Sequence, residues 1–365
     1  MVCILTALVF GTLAFGVLLV AGPRGPSAAP RPTGFFGAGY VGSETCATCH
    51  RPIYDTFRTT GHPAKLRTAA EARAAGLPKP DYVSWDDVLF VIGGFRWKAR
   101  YVGQDGFILT GSPDGKISGR NQFNLETAQW VNYEPGRRLP YDCGECHTTG
   151  YVPIGNQLRR PGLIGTWALN GVQCEACHGR GQVHASNPSK ANIRLERSAS
   201  LCGQCHRRGT DMSVIPAAGG WVQHREQYQE FLASPHNRAG LSCVTCHDPH
   251  RRARQVKATG TCENCHTGNA AAFRGSKHQL ARLACTSCHM PNTGPNAVAR
   301  SRWEADDPSH LFKINTDPDA SLFTPDGRAV GSPANTLEFV CLRCHSDRTK
   351  AWAAANVRGI HSLGK

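Results

Sequence analysis

The feature that most constrains this chain is a five-residue pattern, Cys-x-x-Cys-His, which recurs eight times. The copies, numbered here as motifs 1 to 8 in chain order, begin at Cys46, Cys143, Cys174, Cys202, Cys243, Cys262, Cys285 and Cys341. Sixteen of the 17 cysteines belong to these copies. So few residues separate the motifs that an ordinary protein core cannot form around each one. Whatever the motifs bind must therefore fill much of the interior.

The spacing within each motif suits covalent attachment of c-type haem. Two cysteines three positions apart lie on the same side of a helical turn, so both can form thioether bonds to one porphyrin edge. The histidine that follows can then turn its imidazole under the ring and bind the iron. The predicted attachment residues are Cys46, Cys49, Cys143, Cys146, Cys174, Cys177, Cys202, Cys205, Cys243, Cys246, Cys262, Cys265, Cys285, Cys288, Cys341 and Cys344. The predicted proximal ligands are His50, His147, His178, His206, His247, His266, His289 and His345.

Two other uses of paired cysteines are open to such a chain. Structural zinc sites take Cys-x-x-Cys pairs, and an exported chain can use cysteines in disulfides. Neither use requires a histidine directly after every second cysteine, whereas all eight pairs here have one. The pattern therefore favours eight covalently bound haem c groups.

A second set of histidines matches the first in number. They lie outside the motifs, at His62, His184, His224, His236, His250, His278, His310 and His361. Two of them share one context, since Ser-x-His precedes a motif by six residues at His236 and again at His278. Only three methionines are present, which argues against His/Met ligation and the higher potential that it brings. We therefore predict two histidine ligands on most irons and low reduction potentials, with no assignment of a particular distal histidine to a particular haem.

The amino-terminal segment predicts export. Residues 2–22 form an unbroken apolar run, long enough to span a bilayer, and no Lys or Arg precedes it. Either a removed signal or a retained membrane anchor accounts for it, and both place the rest of the chain in the periplasm, on the outer surface or outside the cell. Cys3 lies at the start of this run, and we interpret it as a small apolar residue within the membrane. Residues 23–39 form a linker rich in Pro, Gly and Ala.

The remaining chain divides into three predicted parts. Residues 40–81 form a first haem module, residues 82–136 a β-rich insert without cysteine, and residues 137–365 a module with seven haems. In the insert, residues 88–92, 95–102 and 107–110 predict a small antiparallel meander. Residues 221–230 predict a helix bearing His224. The predicted fold is mainly α with much irregular loop, its core built from packed haems.

The basic composition does not indicate a nucleic-acid partner. The formal net charge is +14, but eight haems bring about sixteen propionate charges, which offset it. Arginine is well suited to pairing with such carboxylates. No nucleic-acid-binding motif is present in the sequence.

Three stretches resemble the cytochrome c-554 type of multihaem cytochromes, which is related to the octahaem hydroxylamine oxidoreductase and tetrathionate reductase superfamily. They are residues 40–50, the Cys-x-x-Cys-His-Gly-x-Gly-x-x-His stretch at residues 174–184, and Cys-His-Asp-Pro-His at residues 246–250. The resemblance covers roughly residues 40–345. It implies closely packed haem pairs that pass electrons along a chain. The sequence departs from pentahaem nitrite reductases because it contains no Cys-x-x-Cys-Lys.

Two functions follow as expectations. The first is electron transfer along the haems, with redox proteins or an external electron acceptor as partners, and with a homo-oligomer or filament as one form. A distal histidine reaching into a neighbouring subunit would mark the filament. The second is reduction or oxidation of a small nitrogen or sulfur compound at one iron that lacks a distal ligand. Arg207, Arg208, Arg251 and Arg252 are candidates for anion binding there by charge alone.

Overall fold

The computed structural model describes residues 38–112, 114–252 and 258–362, with the side chains of residues 258–261 left out. The apolar run at residues 2–22 and Cys3 lie outside these ranges. Within them, short helices, small antiparallel sheets and long loops alternate. No helix in the described ranges combines the length and apolar character needed to cross a bilayer.

The largest sheet has seven strands and lies between motifs 1 and 2. Its strands are β1 (Leu66–Thr68), β2 (Val88–Gly93), β3 (Lys98–Gly103), β4 (Phe107–Ile108), β5 (Gln122–Asn124), β6 (Gln129–Val131) and β7 (Leu139–Pro140). All pairings are antiparallel, and they follow the order β1-β2-β3-β4-β7, with β5 paired to both β3 and β6. Both β1 and β7 lie outside the predicted insert of residues 82–136.

Both faces of this sheet are covered, because side chains alternate along each strand. On one face, Phe90 and Val102 pack with Tyr141 and Trp167. On the other face, Val91 and Tyr101 join a second apolar cluster. The residues of β3 that alternate with Tyr101 therefore point towards motif 2, and they include Arg100.

The smaller sheets are pairs of short strands. They are β8 (Thr148–Thr149) with β11 (Leu169–Asn170), β9 (Val152–Asn156) with β10 (Ile164–Thr166), β12 (Ala217–Ala218) with β13 (Trp221–Val222), and β14 (Asn292–Gly294) with β15 (Asp307–Pro308). These strands lie outside residues 82–136, where no strand was predicted. The architecture therefore contains more β structure than the mainly α fold that was predicted. Strand β13 also corrects the helix predicted at residues 221–230, since β12 pairs with Trp221 and Val222 and a helix begins only at Gln227.

The helices are short, and most of them flank or contain a haem motif. They are α1 (Ser43–Ala47), α2 (Arg51–Phe57), α3 (Ala69–Ala74), α4 (Gly144–His147), α5 (Cys174–His178), α6 (Gln182–Ser186), α7 (Ala199–Gly203), α8 (Gln227–Ala233), α9 (Pro235–Arg238), α10 (Cys243–Cys246), α11 (Ala258–Cys265), α12 (Thr267–Phe273), α13 (Lys277–Leu280), α14 (Cys285–His289) and α15 (Lys350–Asn356). A π-helical turn spans Glu338–Leu342 and contains the first cysteine of motif 8. Short 3₁₀ turns span Pro63–Lys65, Trp85–Asp87, Gln157–Arg159, Lys190–Asn192 and Ile360–Ser362.

A long stretch of the chain has almost no protein core of its own. Between Phe231 and Ala305, the described residues include no fully buried hydrophobic side chain. Motifs 5, 6 and 7 lie in this stretch. Polypeptide that buries so little apolar surface cannot by itself offset the conformational entropy lost on folding. In this stretch, a bound apolar group would contribute most to the interior.

The sheet makes a close backbone contact at Gly162 that tolerates no side chain. A Cβ atom there would lie 2.3 Å from the carbonyl carbon of Gly106 and 2.4 Å from the amide nitrogen of Phe107. Gly162→Ala should therefore lower the free energy of unfolding by about 1–3 kcal/mol. Unfolding in guanidinium chloride, followed by far-UV circular dichroism, measures this change. Gly268→Ala is the control, because open space surrounds that helical position, and a stability change of equal size there would contradict the account.

Candidate haem sites

Each motif forms a helical turn that sets its histidine beneath its two cysteines. The backbone N–H of the motif histidine donates to the carbonyl of the first cysteine at 2.8–3.1 Å in motifs 1, 2, 4, 5, 6 and 8. In motifs 3 and 7 the same residues lie within α5 and α14. The turn brings both thiols to one side, which is the geometry that attachment to a porphyrin edge requires.

Seven of the motif histidines face one of the histidines outside the motifs. The ring centroids lie 6.0–6.4 Å apart in every pair. The pairs are His50 with His184, His178 with His250, His206 with His62, His247 with His310, His266 with His236, His289 with His361, and His345 with His278. Each pair therefore joins one predicted proximal ligand to one predicted distal ligand.

These separations suit two imidazoles on opposite sides of one iron. Metal–nitrogen bonds of about 2 Å on each side set the two ring centroids about 6 Å apart. The rings differ in orientation. Their planes are within 23° of parallel in the pairs of His50, His178 and His289, and close to perpendicular, at 87° and 88°, in those of His206 and His345. The residues present therefore fit a haem at each of these seven motifs.

Motif 2 differs from the others. Across the described residues, the ring of His147 makes no contact with another imidazole, and His224 makes none with a motif histidine. His224 lies in the loop between β13 and α8. Burial, together with the charges of Arg225, Arg208, Lys98 and Arg100, lowers the pKa of His224 to about 3. The surroundings of His224 are thus strongly cationic.

Backbone carbonyls orient many of the imidazoles through the ring nitrogen Nδ1. His147 Nδ1 lies 3.0 Å from the carbonyl oxygen of Lys65, and His178 Nδ1 lies 2.8 Å from that of Arg194. Such contacts leave Nε2 free to bind a metal and set the ring orientation. Burial lowers the pKa of His62, His147 and His206 to about 4 and that of His310 to about 3. These rings are therefore neutral at physiological pH, which is the ligating form.

The motifs lie next to one another in a continuous series. Helix α1 packs against α5, and the thiols of Cys46 and Cys174 lie close enough to shift each other's pKa. The thiols of Cys146 and Cys205 are close in the same way. A third thiol pair, Cys202 with Cys243, joins motifs 4 and 5. Helices α10 and α11, α11 and α14, and α14 and the π-helical turn pack in succession, which joins motifs 5 to 8. Motif 3 adjoins motif 4. Cys177 lies close enough to Cys202 that the Cys202 thiol adds to the effect of burial in raising the pKa of Cys177.

The structure also shows a residue whose role the motif pattern does not predict. Glu175, within motif 3, is only 3% exposed. Its carboxylate accepts hydrogen bonds from the backbone N–H groups of Val41, Gly42 and Gly181, at 2.7–3.2 Å. It therefore ties the segment before motif 1 to motif 3. A variable position between two cysteines carries no sequence signal for this contact.

Of the four arginines predicted from charge alone to bind an anion, three already have protein partners. Arg207 pairs with Glu145 at 3.0 Å and Arg251 with Asp248 at 3.4 Å. The Arg252 guanidinium donates to the carbonyl of Thr59. No group of three or more His, Cys, Asp or Glu residues in the described ranges is arranged to hold a bare metal ion.

Comparisons with known proteins identify one matching family model and several similar structures. The family model for cytochrome c554 and c-prime matches residues 119–179. A search of the curated proteins found no match. Among solved structures, the outer cell wall cytochrome OcwA is similar, with 19% identity over 87% of this chain and 86% of that chain, and a TM-score of 0.61. The octaheme sulfite reductase MccA of Wolinella succinogenes has 17% identity over 83% of this chain and 65% of that chain, with a TM-score of 0.60.

The shared fold defines a class, that of cytochromes in which short helices and loops surround many haems. The family model and the fold together support a multihaem c-type cytochrome with covalently bound haem c.

Proposed function

We propose that the chain binds eight haem c groups and transfers electrons along them. Seven irons take two histidine ligands each, in the pairs described above. When bound, the haem iron supplies one-electron redox chemistry, and the chain sets its potential through ligands, hydrogen bonds and burial. Imidazole ligands on both sides stabilise ferric iron more than a methionine does, so the potentials are low.

The observation that carries this proposal is the set of seven imidazole pairs. Seven histidines scattered along the chain each lie about 6 Å from a different motif histidine. Surface or capping histidines have no physical reason to adopt that arrangement. The scarcity of buried side chains between Phe231 and Ala305 supports it, since haems supply the apolar interior there.

The succession of motifs supports electron transfer rather than eight isolated sites. Thiol contacts and helix packing connect motif 1 to 3, 3 to 4, 4 to 5, and then 5 through 8, with motif 2 attached to motif 4. Haems attached this closely exchange electrons by short hops. Motifs 1 and 8 stand at the two ends of this path and are the places where partners exchange electrons with the protein.

The partners are redox proteins or an external electron acceptor, and the protein works outside the cytoplasm. The outer cell wall location in the name of OcwA supports the second point. Seven of the eight motif histidines have their imidazole partners within one chain, so a filament joined by a borrowed histidine is not required for these haems. Residues 2–22 act as an export signal or an anchor.

Haem stoichiometry tests the proposal. Mass spectrometry of the intact protein should show eight haems, and replacing both Cys285 and Cys288 with Ser should remove one. Replacing Ser287 with Ala, between those cysteines, is the matched control and should keep all eight. A colourless protein loaded with zinc would overturn the proposal.

Motif 2 favours a second candidate function, reduction of a small oxyanion at its haem. His147 has no facing imidazole among the described residues, while Lys98, Arg100, Arg208 and Arg225 place four positive charges near His224. Two contacts fix the position of the Arg100 guanidinium. It donates to Gln122 and lies 3.6 Å from the centroid of the Tyr133 ring. An anion beside an iron with an open position is stabilised by charge of this kind. The name of MccA, an octaheme sulfite reductase, supports this class of reaction.

Anion binding distinguishes this candidate from electron transfer alone. Nitrite or sulfite should perturb the optical spectrum of one haem. Because a charge-assisted hydrogen bond contributes about 1.5–3 kcal/mol, Arg100→Gln should weaken anion binding roughly 10- to 100-fold. Arg138→Gln is the control, since that side chain is 69% exposed and lies over Phe107. If the unmodified protein binds neither anion, motif 2 holds no open iron.

A further inference from the structure

His250 has a different hydrogen-bonding environment from the other paired histidines. Its Nδ1 atom lies 3.2 Å from the carboxylate oxygen Oδ1 of Asp248, and its backbone N–H donates to the same oxygen at 2.9 Å. The second carboxylate oxygen pairs with Arg251 at 3.4 Å. A two-residue turn thus holds a full negative charge against the far side of an imidazole that faces His178.

Neutral oxygens occupy this position on the other rings whose partners the structure defines. His184, His289 and His310 have carbonyl oxygens of Ser189, Phe312 and Pro308 within 2.9–3.1 Å of Nδ1. The carboxylate of Glu230 is 3.8 Å from His310 Nδ1, beyond hydrogen-bonding distance. Among the described ring nitrogens, only that of His250 lies within hydrogen-bonding distance of a carboxylate.

The same short segment also holds the histidine of a neighbouring haem. The carbonyl of Pro249 accepts a hydrogen bond from His62, which faces His206 of motif 4. Next along the chain, the Arg252 guanidinium donates to the carbonyl of Thr59 and lies 5.2 Å from the ring of Phe95. Residues 248–252 therefore hold both His250, which faces motif 3, and His62, which faces motif 4.

We propose that Asp248 is a positioning residue that lowers the reduction potential of the haem at motif 3 through His250, and that this lowering sets the motif 3 haem apart from the motif 4 haem beside it. The inference rests on the proposed function, since it takes His250 as an iron ligand. With Nε2 on the iron, Nδ1–H donates to the carboxylate. The carboxylate draws that proton towards itself and makes the imidazole a stronger donor.

The consequence is a difference in potential between two adjacent haems with similar ligands. A stronger imidazole donor stabilises ferric over ferrous iron. The carbonyl of Pro249, which is neutral, gives His62 a weaker effect of the same kind. Electrons therefore reside at motif 4 in preference to motif 3. The haem at motif 3 is a site of lower potential between motif 1 and the rest of the series.

Potentiometric titration of Asp248→Asn tests the proposal. The amide keeps a hydrogen-bond acceptor but removes the charge, so all haems and all low-spin signals should remain. At a fixed solution potential, the ferrous-to-ferric ratio of one haem should rise about three- to tenfold, where tenfold corresponds to about 59 mV for one electron. The haem concerned is identified by the low-spin signal that disappears in His250→Ala.

Two further variants complete the test, one predicted to shift the potential the opposite way and one serving as a control. Arg251→Gln removes the cation that shares the carboxylate and should shift the same haem the opposite way, towards lower potential. Asp211→Asn is the charge-matched control, because Asp211 caps Ser213 in an exposed turn. If Asp248→Asn keeps its haems yet titrates like Asp211→Asn, the inference about Asp248 is wrong while the haem assignment stands. Loss of all haem signals from the unmodified protein would instead remove the proposed function.

Discussion

His310→Ala should convert one haem of the oxidised protein from six-coordinate low-spin to five-coordinate high-spin. His310 faces His247 of motif 5 at a centroid distance of 6.2 Å. Its backbone N–H donates to the buried Glu230 at 2.7 Å, and the carbonyl of Pro308 lies 3.1 Å from its Nδ1. These contacts hold the ring in place, and alanine removes the ligand without disturbing the motif. Electron paramagnetic resonance should show a new high-spin signal of about one iron per chain.

His224→Ala is the matched control for this result. Both variants remove a histidine outside the motifs, but His224 has no ring contact with a motif histidine within the described residues. We therefore expect no new high-spin iron in His224→Ala, and a change there equal to that in His310→Ala would show that His224 binds the iron of motif 2. An unchanged spin state in His310→Ala would contradict the assignment of the pair.

Glu175→Ala should destabilise the protein more than any other exchange of a carboxylate described above. The buried carboxylate accepts the N–H groups of Val41, Gly42 and Gly181. Hydrogen bonds to a charged group contribute about 1.5–3 kcal/mol each, and buried donors left without acceptors add a further cost. A loss of at least about 3 kcal/mol in the free energy of unfolding is expected. Guanidinium chloride unfolding monitored by far-UV circular dichroism measures it.

Glu145→Ala provides the comparison for this prediction. Glu145 also lies between the two cysteines of a motif, but its side chain is 62% exposed and its ion pair with Arg207 is on the surface. Exposed ion pairs contribute about 0–1 kcal/mol, so this variant should remain close to the unmodified protein. Equal losses in the two variants would show that the contacts of Glu175 are not what stabilises the segment before motif 1.

The sequence predicts the attachment sites because their chemistry is local. Two cysteines and a histidine within five residues form one helical turn, and the turn needs no distant partner to place its side chains. The sequence predicts the distal histidines only as a set, because their number equals that of the motifs, and seven of the eight face a motif histidine. Which histidine faces which motif could not be predicted, since His62 faces motif 4 and His184 faces motif 1.

The sheet and the contacts of Glu175 depend on information that is not local. Residues 88–92 alternate strongly enough to predict a strand, but β1 and β7 are short and acquire their structure by pairing with it. The predicted helix at residues 221–230 failed because pairing with β12 outweighed local helical preference at Trp221 and Val222. Glu175 contacts a segment more than a hundred residues away, and no pattern around it reports that contact. Asp248 contacts His250 only two residues along the chain, but the sequence does not show that His250 faces motif 3.

Electron paramagnetic resonance of the fully oxidised protein tests the central claim most directly, because it counts axial ligand pairs and reports how their rings are oriented. Nearly parallel imidazole planes split the iron d orbitals and give rhombic low-spin signals, whereas perpendicular planes leave those orbitals nearly degenerate and give a strongly anisotropic signal. The pairs of His50, His178 and His289 predict rhombic signals, and those of His206 and His345 predict anisotropic ones. Seven low-spin irons of both kinds per chain, with at most one high-spin iron, would support paired histidine ligation. Several high-spin irons, or no haem signal at all, would contradict it.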